Sequence, residues 1–265
     1  MRRMEPTRAV VSTIVLLGLL LAAPNATIAQ PVEGRRVSTP ISQGLAAMDT
    51  AARNGKYLFI FFWKENDEPA RNMFAVFQGA VGKMGQGADS IGIQVTDPRE
   101  KPVVDKLGVD RAPMPLVLAL APNGAVTKGF PLKFTEQDLR QAFVSPCTAR
   151  CMKALQDRKL VLLCVQNRQT QYSQAALQGA LDFKADTRFA KATEIVTLDP
   201  SDRQEAQFLR DLQVPAGTPQ AVTVVLAPPG QPVAKFAGPV GKDQIVAKVG
   251  SAQSGPCAGG QCGPG

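Results

Sequence analysis

The stretch FFWKENDEPAR, Phe61–Arg71, decides how the chain is read. It closes the apolar run YLFIFFW, which has the length and character of a buried strand, and passes within four residues into Asp67-Glu68-Pro69, a helix start. Asp67 is placed to cap that helix and to set a negative charge against the positive end of its dipole. A helix N-terminus lowers the pKa of a cysteine placed there, and this stretch has none.

Working outward, the same order of segments occurs twice. The first unit begins at Thr39-Pro40, read as cap and first turn of a helix, and runs through LAAMDTAARNGK into YLFIFFW. A helical pattern with Met73, Phe74, Phe77, Val81 and Met84 follows, then the strand SIGIQVTDP, a helix ending LGV, the strand MPLVLALAPNG and the helix FTEQDLRQAFV. The second unit begins at Ser145-Pro146 and runs through CTARCMKALQDRK, LVLLCV, a helix with Leu177 and Leu181, EIVTLDP, FLRDLQV, TPQAVTVVLAPPG and KDQIVAKV. Asp97-Pro98 is matched with Asp199-Pro200, and Asn123-Gly124 with Pro229-Gly230. Strands joined by helices pair in parallel and a final tight turn makes an antiparallel hairpin, so each unit is expected to be a mixed sheet with helices on both faces.

These residues resemble the thioredoxin-like superfamily, twice over and along nearly the whole mature chain. In that family an apolar strand ends in F-W-A-x-W-C-G-P-C-K and a later cis-proline segment precedes a strand and a tight turn. Laid on the motif, Phe62-Trp63 fall on its F-W, Asp67 and Ala70 take the two cysteine positions, Pro69 is kept, and Arg71 stands at the basic position that follows. In the second unit Thr170-Gln171-Tyr172-Ser173 take the place of the motif, again without sulfur. The resemblance implies a cis-proline at Met114-Pro115, with Pro113 as a competing assignment, and another at Thr218-Pro219. With Trp63, these are the candidate residues for holding an extended peptide. Thiol exchange needs a thiolate attacker and a second thiol to resolve the mixed disulfide, so the family's usual activity does not carry over to either motif position.

Cys164 falls inside a strand, where a small buried thiol is expected. The remaining four cysteines lie elsewhere. Cys147 and Cys151 sit one turn apart at the start of a helix, where a thiol pKa is expected to be lowered, while Cys257 and Cys262 lie in the Gly/Pro-rich tail SGPCAGGQCGPG. Structural disulfides, a redox pair and a soft-metal or zinc site all remain open for them, and the absence of C-x-x-C knuckles counts against metal. No metal and no cofactor are expected on balance.

Composition narrows the rest. Arg2, Arg3 and Arg8 precede the apolar run Val10 to Ala23, and Thr27 and Ala29 supply small residues before Gln30, so residues 1–29 read as a cleaved secretory signal and the mature chain as periplasmic or secreted, with no stable membrane insertion. Cleavage lowers the net charge from +8 to +6, dispersed and without a basic stripe, so nucleic acid is not an expected partner. With no histidine in 265 residues, Ser-His and Cys-His nucleophile pairs and the usual zinc-hydrolase ligand sets are excluded. The expected organisation is signal 1–29, linker 30–38, thioredoxin-like domains at 39–144 and 145–250, and a flexible tail at 251–265. The expected function is an exported non-catalytic module that binds or scaffolds a protein or peptide. The alternatives are a thiol-disulfide oxidoreductase using Cys147/Cys151 or Cys257/Cys262, or a metal-binding tail.

Overall fold

In the computed structural model, residues 42–253 are described. The proposed signal and linker, the Thr39-Pro40 helix start, and Cys257 and Cys262 lie outside them. The first helix, α1 (Gln43–Arg53), is capped by Ser42, whose hydroxyl accepts from the Leu45 N–H at 3.1 Å, so the cap belongs to Ser42 and not Thr39. The first half continues as β1 (Tyr57–Trp63), α2 (Glu68–Gly82), β2 (Ala88–Gln94), α3 (Lys101–Leu107), β3 (Leu116–Leu120), β4 (Val126–Pro131) and α4 (Glu136–Arg140). The second half repeats the order as α5 (Pro146–Gln156), β5 (Leu160–Val165), α6 (Ser173–Ala185), β6 (Thr193–Leu198), α7 (Ala206–Asp211), β7 (Val222–Ala227), β8 (Gln231–Ala237) and α8 (Lys242–Gln253). The last helix runs into the stretch expected as tail.

Each half is a four-stranded mixed sheet, ordered β2-β1-β3-β4 and β6-β5-β7-β8. The first two strands of each half pair in parallel and the rest antiparallel. The central strands β1 and β5 are apolar on both faces because helices cover both: Phe59 and Phe61 face Phe77 and Leu139, while Leu58, Ile60 and Phe62 face Val103 and Val104. In the second half Val161, Leu163 and Val165 pack with Cys151 and Leu155, while Leu162 and Cys164 pack with Phe183 and Ile245.

The halves are joined by hydrogen bonds. The Tyr57 hydroxyl donates to the Val144 carbonyl at 2.8 Å and accepts from the Val144 N–H at 3.0 Å, Asn123 Nδ2 donates to the Ala149 carbonyl at 2.8 Å, and the Gln156 amide bonds both backbone groups of Val126. Among the described residues no helix is long and apolar enough to cross a membrane.

Candidate functional site: two unequal grooves

In the first half Asp67 is the N-cap of α2. Its carboxylate accepts from the Ala70 N–H at 2.9 Å, a cap worth about 1 kcal/mol, and Pro69 occupies the first turn, where its missing N–H costs nothing. Asp67 is exposed and Ala70 buried, so a polar cap and a methyl stand where the two sulfurs would be. Facing them is Met114-Pro115, joined by a cis peptide bond, which decides against Pro113. Between the two lies a groove of about 250 Å³ lined by Trp63, Lys64, Glu65, Asp67, Ala70, Met114 and Pro115. Trp63, Met114 and Pro115 are therefore brought together. Pro113 and Pro115 have no N–H, so Met114 carries the sole donor of that run and is the residue that can pair with an extended chain. On the neighbouring strand Leu132 is about half exposed and held at φ 65°, its N–H donating to the Pro115 carbonyl at 2.7 Å.

The second half departs from the expected arrangement. The N-cap of α6 is Tyr172, at φ 62° and with no side-chain cap, so the residues matching Asp67–Ala70 are Tyr172–Ala175, two positions beyond the expected Thr170–Ser173. Strand register then places the proline position. Phe62 pairs with Leu116 and Val165 with Val222, so Ala221, not Pro219, stands at the place of Pro115. Thr218-Pro219 is not a cis bond; the cis bond of this half is Pro228-Pro229, in the β7-β8 turn. The physical reason is that the longer loop before α6 folds back onto the sheet edge. The Gln171 N–H donates to the Pro219 carbonyl at 2.9 Å and the Ala221 N–H donates to the Gln171 carbonyl at 2.9 Å, a parallel bridge between Gln171 and Gln220. Gly238 takes the place of Leu132, donating to the Ala221 carbonyl at 2.8 Å, and the Tyr172 ring lies 3.7 Å from where its Cβ would be. The sheet edge of the second half is thus paired by its own chain, the space left beside the start of α6 is an open pocket of about 580 Å³ lined by Thr170, Tyr172, Ser173, Gln174, Ala175 and Gln178, and Thr218 and Pro219 line no open site with Trp63.

Cys147, Cys151 and Cys164 are free thiols. Cys147, near the N-terminus of α5, was expected to have a lowered pKa, but the hydrogen bond to Cys151, burial, and the nearby charges of Cys151 and Glu205 push it far up, Arg150 opposing only weakly. The helix dipole is outweighed because the thiol lies inward against the core of the second half, near the Thr197 carbonyl at 3.9 Å. Burial is the largest cause pushing the Cys164 thiol up to about 11. Among the described residues no cluster of three or more His, Cys, Asp or Glu side chains could hold a metal.

One repeated device escaped the sequence reading. Glu100 is buried and accepts from the Ser42 hydroxyl at 2.7 Å and from the N–H groups of Gln43 and Gly44 at 2.8 and 3.0 Å, closing the start of α1. Glu205 does the same work at α5, accepting from the Ser145 and Thr148 hydroxyls at 2.6 and 3.4 Å. The signal was Asp-x-x-Glu in both halves, Asp97 to Glu100 and Asp202 to Glu205, each aspartate capping a short 3-10 turn. The matched pair Asp97-Pro98 and Asp199-Pro200 is therefore a coincidence of sequence.

Strand order and register give both halves the same thioredoxin-like fold, and neither carries sulfur at the start of the helix that follows its first strand. Solved structures similar to the chain include oxidised thioredoxin O2 from Arabidopsis thaliana, 12% identical over 38% of this chain and 85% of that one with a TM-score of 0.32. A disulphide isomerase from Xylella fastidiosa Temecula1 is 14% identical over 43% and 94%, with a TM-score of 0.31. The NTD_N/C domain of alkylhydroperoxide reductase AhpF from Enterococcus faecalis is 14% identical over 77% and 97%, with a TM-score of 0.28. No family model and no curated protein matches the chain.

Proposed function

We propose that this chain is an exported, non-catalytic thioredoxin-like protein that binds an extended segment of a partner protein in the groove of its first domain. The observation that carries the reading is the contrast at one sheet edge: the groove at Met114-Pro115 is open, while the matching edge at Gln220 is already paired with Gln171. A backbone pair at Met114 gives affinity and the Trp63 and Met114 side chains favour apolar side chains. Nothing at this groove can exchange electrons, since Asp67 and Ala70 are not redox groups, and the raised pKa of Cys147 weighs against the oxidoreductase alternative.

The test uses the S-carboxymethylated insulin B chain as an extended, thiol-free probe. Binding should slow hydrogen exchange at the Met114 amide and leave Gln220 and Ala221 unchanged, and the protein should not accelerate reduction of intact insulin. Binding without protection at Met114, or insulin turnover lost on Cys147→Ser or Cys257→Ser, would overturn the reading.

A further inference from the structure

Trp63 is a wall between two cavities. One side faces the groove; the other faces a cavity of about 310 Å³ walled by Phe61, Trp63, Phe74 and Ala70. The rings are in mutual contact, with Phe61 and Phe74 centroids 5.2 Å apart at an edge-on angle and Trp63 6.3 Å from Phe74. The rim is polar, formed by Asn66, Arg71 and Gln94. Gln94 Nε2 is turned to the Lys64 carbonyl at 3.2 Å, and Arg71 spends one nitrogen on the Asn66 carbonyl at 2.5 Å. Among the described residues Arg71 makes no ion pair, so the remaining donors of its fork are free at the mouth of an aromatic cavity.

The cavity belongs to the first half alone. Gly92 on β2 lets the Trp63 ring lie where it walls the cavity, because a Cβ there would come within 2.8 Å of that ring and 3.3 Å of Phe74. By strand register the second half has Cys164 for Phe61, Thr197 for Gly92 and Gln166 for Trp63. Counted from the helix cap, Gly179 replaces Phe74, and a Cβ on it would lie 1.8 Å from the Val240 carbonyl, so backbone occupies that space. Three aromatic rings kept around a void, with an unpaired guanidinium at its mouth, do not follow from the fold.

We propose that this cavity binds an apolar chain ending in a carboxylate: the chain lies among Phe61, Trp63 and Phe74 and the carboxylate takes the free fork of Arg71. At roughly 30 Å³ per water-sized group the space holds about ten non-hydrogen atoms, the size of octanoate. A carboxylate paired with a guanidinium makes charge-assisted hydrogen bonds that an amide of the same shape cannot. The same chemistry is presented by a free aliphatic acid and by the C-terminus of a protein ending in an apolar residue. This site is separate from the Met114 groove and stands or falls without it.

Trp63 is the sole tryptophan in the chain, so its fluorescence reports a ligand on either side of it, and Arg71→Gln assigns the signal to this cavity. Titrations with octanoate, octanamide, acetyl-Phe-Leu and acetyl-Phe-Leu-amide on the mature protein test the proposal. An acid should give a saturable change at least about fivefold tighter than its amide. Arg71→Gln, a surface change, should bring that ratio to near one without weakening the amide, and Gly92→Ala, which drives the Trp63 ring into the void, should abolish both signals. Preference for octanoate identifies a free acid as the ligand and preference for acetyl-Phe-Leu a protein terminus. No saturable signal with either acid, or an acid-to-amide ratio that survives Arg71→Gln, would overturn the proposal.

Discussion

The two domains share strand order, register and a buried glutamate under the first helix, yet they treat the same sheet edge in opposite ways. In the first, Asp67 ends a short loop, Pro115 blocks one backbone donor, and the groove stays empty. In the second, the longer loop reaches back, Gln171 bonds to Pro219 and Ala221, and Tyr172 lies over Gly238. The difference shows that a fold can lose its binding edge by lengthening one loop, with no change to the sheet. It also shows where retained strain points. Both positions beside the groove take a positive φ, but the second half uses Gly238 at 81°, which costs nothing, while the first uses Leu132 at 65°. A leucine held there costs on the order of 1 kcal/mol.

The sharpest way to break this comparison is to put sulfur back. Asp67→Cys with Ala70→Cys restores a thiol at the helix cap and a second beside it, and should raise insulin reduction from background by at least about a hundredfold, because the helix N-terminus lowers the first thiol's pKa. Tyr172→Cys with Ala175→Cys should gain far less, since the Gln171 bridge covers the approach; equal gains in the two halves would refute the open-and-paired distinction.

A smaller effect is expected at the helices that follow the grooves. Gly179→Ala sets a methyl against the Val240 carbonyl and should cost about 2–3 kcal/mol in a denaturant melt. Gly79→Ala in α2 meets nothing within 4 Å and should stabilise by up to about 1 kcal/mol. The least of the three is Leu132→Gly, which should stabilise the protein by about 1 kcal/mol or less while weakening capture of the carboxymethylated B chain several-fold. Opposite signs in stability and binding are the signature of a residue kept for contact.

Much of this was legible in the sequence. The apolar strands, the alternation with helices and the hairpin turns at Asn123-Gly124 and Pro229-Gly230 are local signals, the Met114-Pro115 bond was what the family resemblance implied, and the structure has the strands, the bond and the turns where they were expected. What misled was alignment across loops of unequal length. Thr218-Pro219 looked like the family's dipeptide, whereas Gln220 stands as far before Pro229 as Met114 does before Asn123, so counting back from the turn would have found the right position. The loop that pairs with the second sheet edge, the thiol of Cys147 and the glutamates 100 and 205 depend on contacts between segments far apart in the chain, and composition carries no record of them.

The missing N–H of Pro115 has a consequence for crowding. The segment that plugs the second domain is held by two backbone bonds, one donated by Gln171 and one by Ala221. Offered to the vacant edge of a neighbouring molecule, that segment would find an imino acid where Ala221 stands and forfeit one of the two. The chain therefore carries a bias against exchanging its own plug between copies, worth the one backbone hydrogen bond that is forfeited, about 1 kcal/mol.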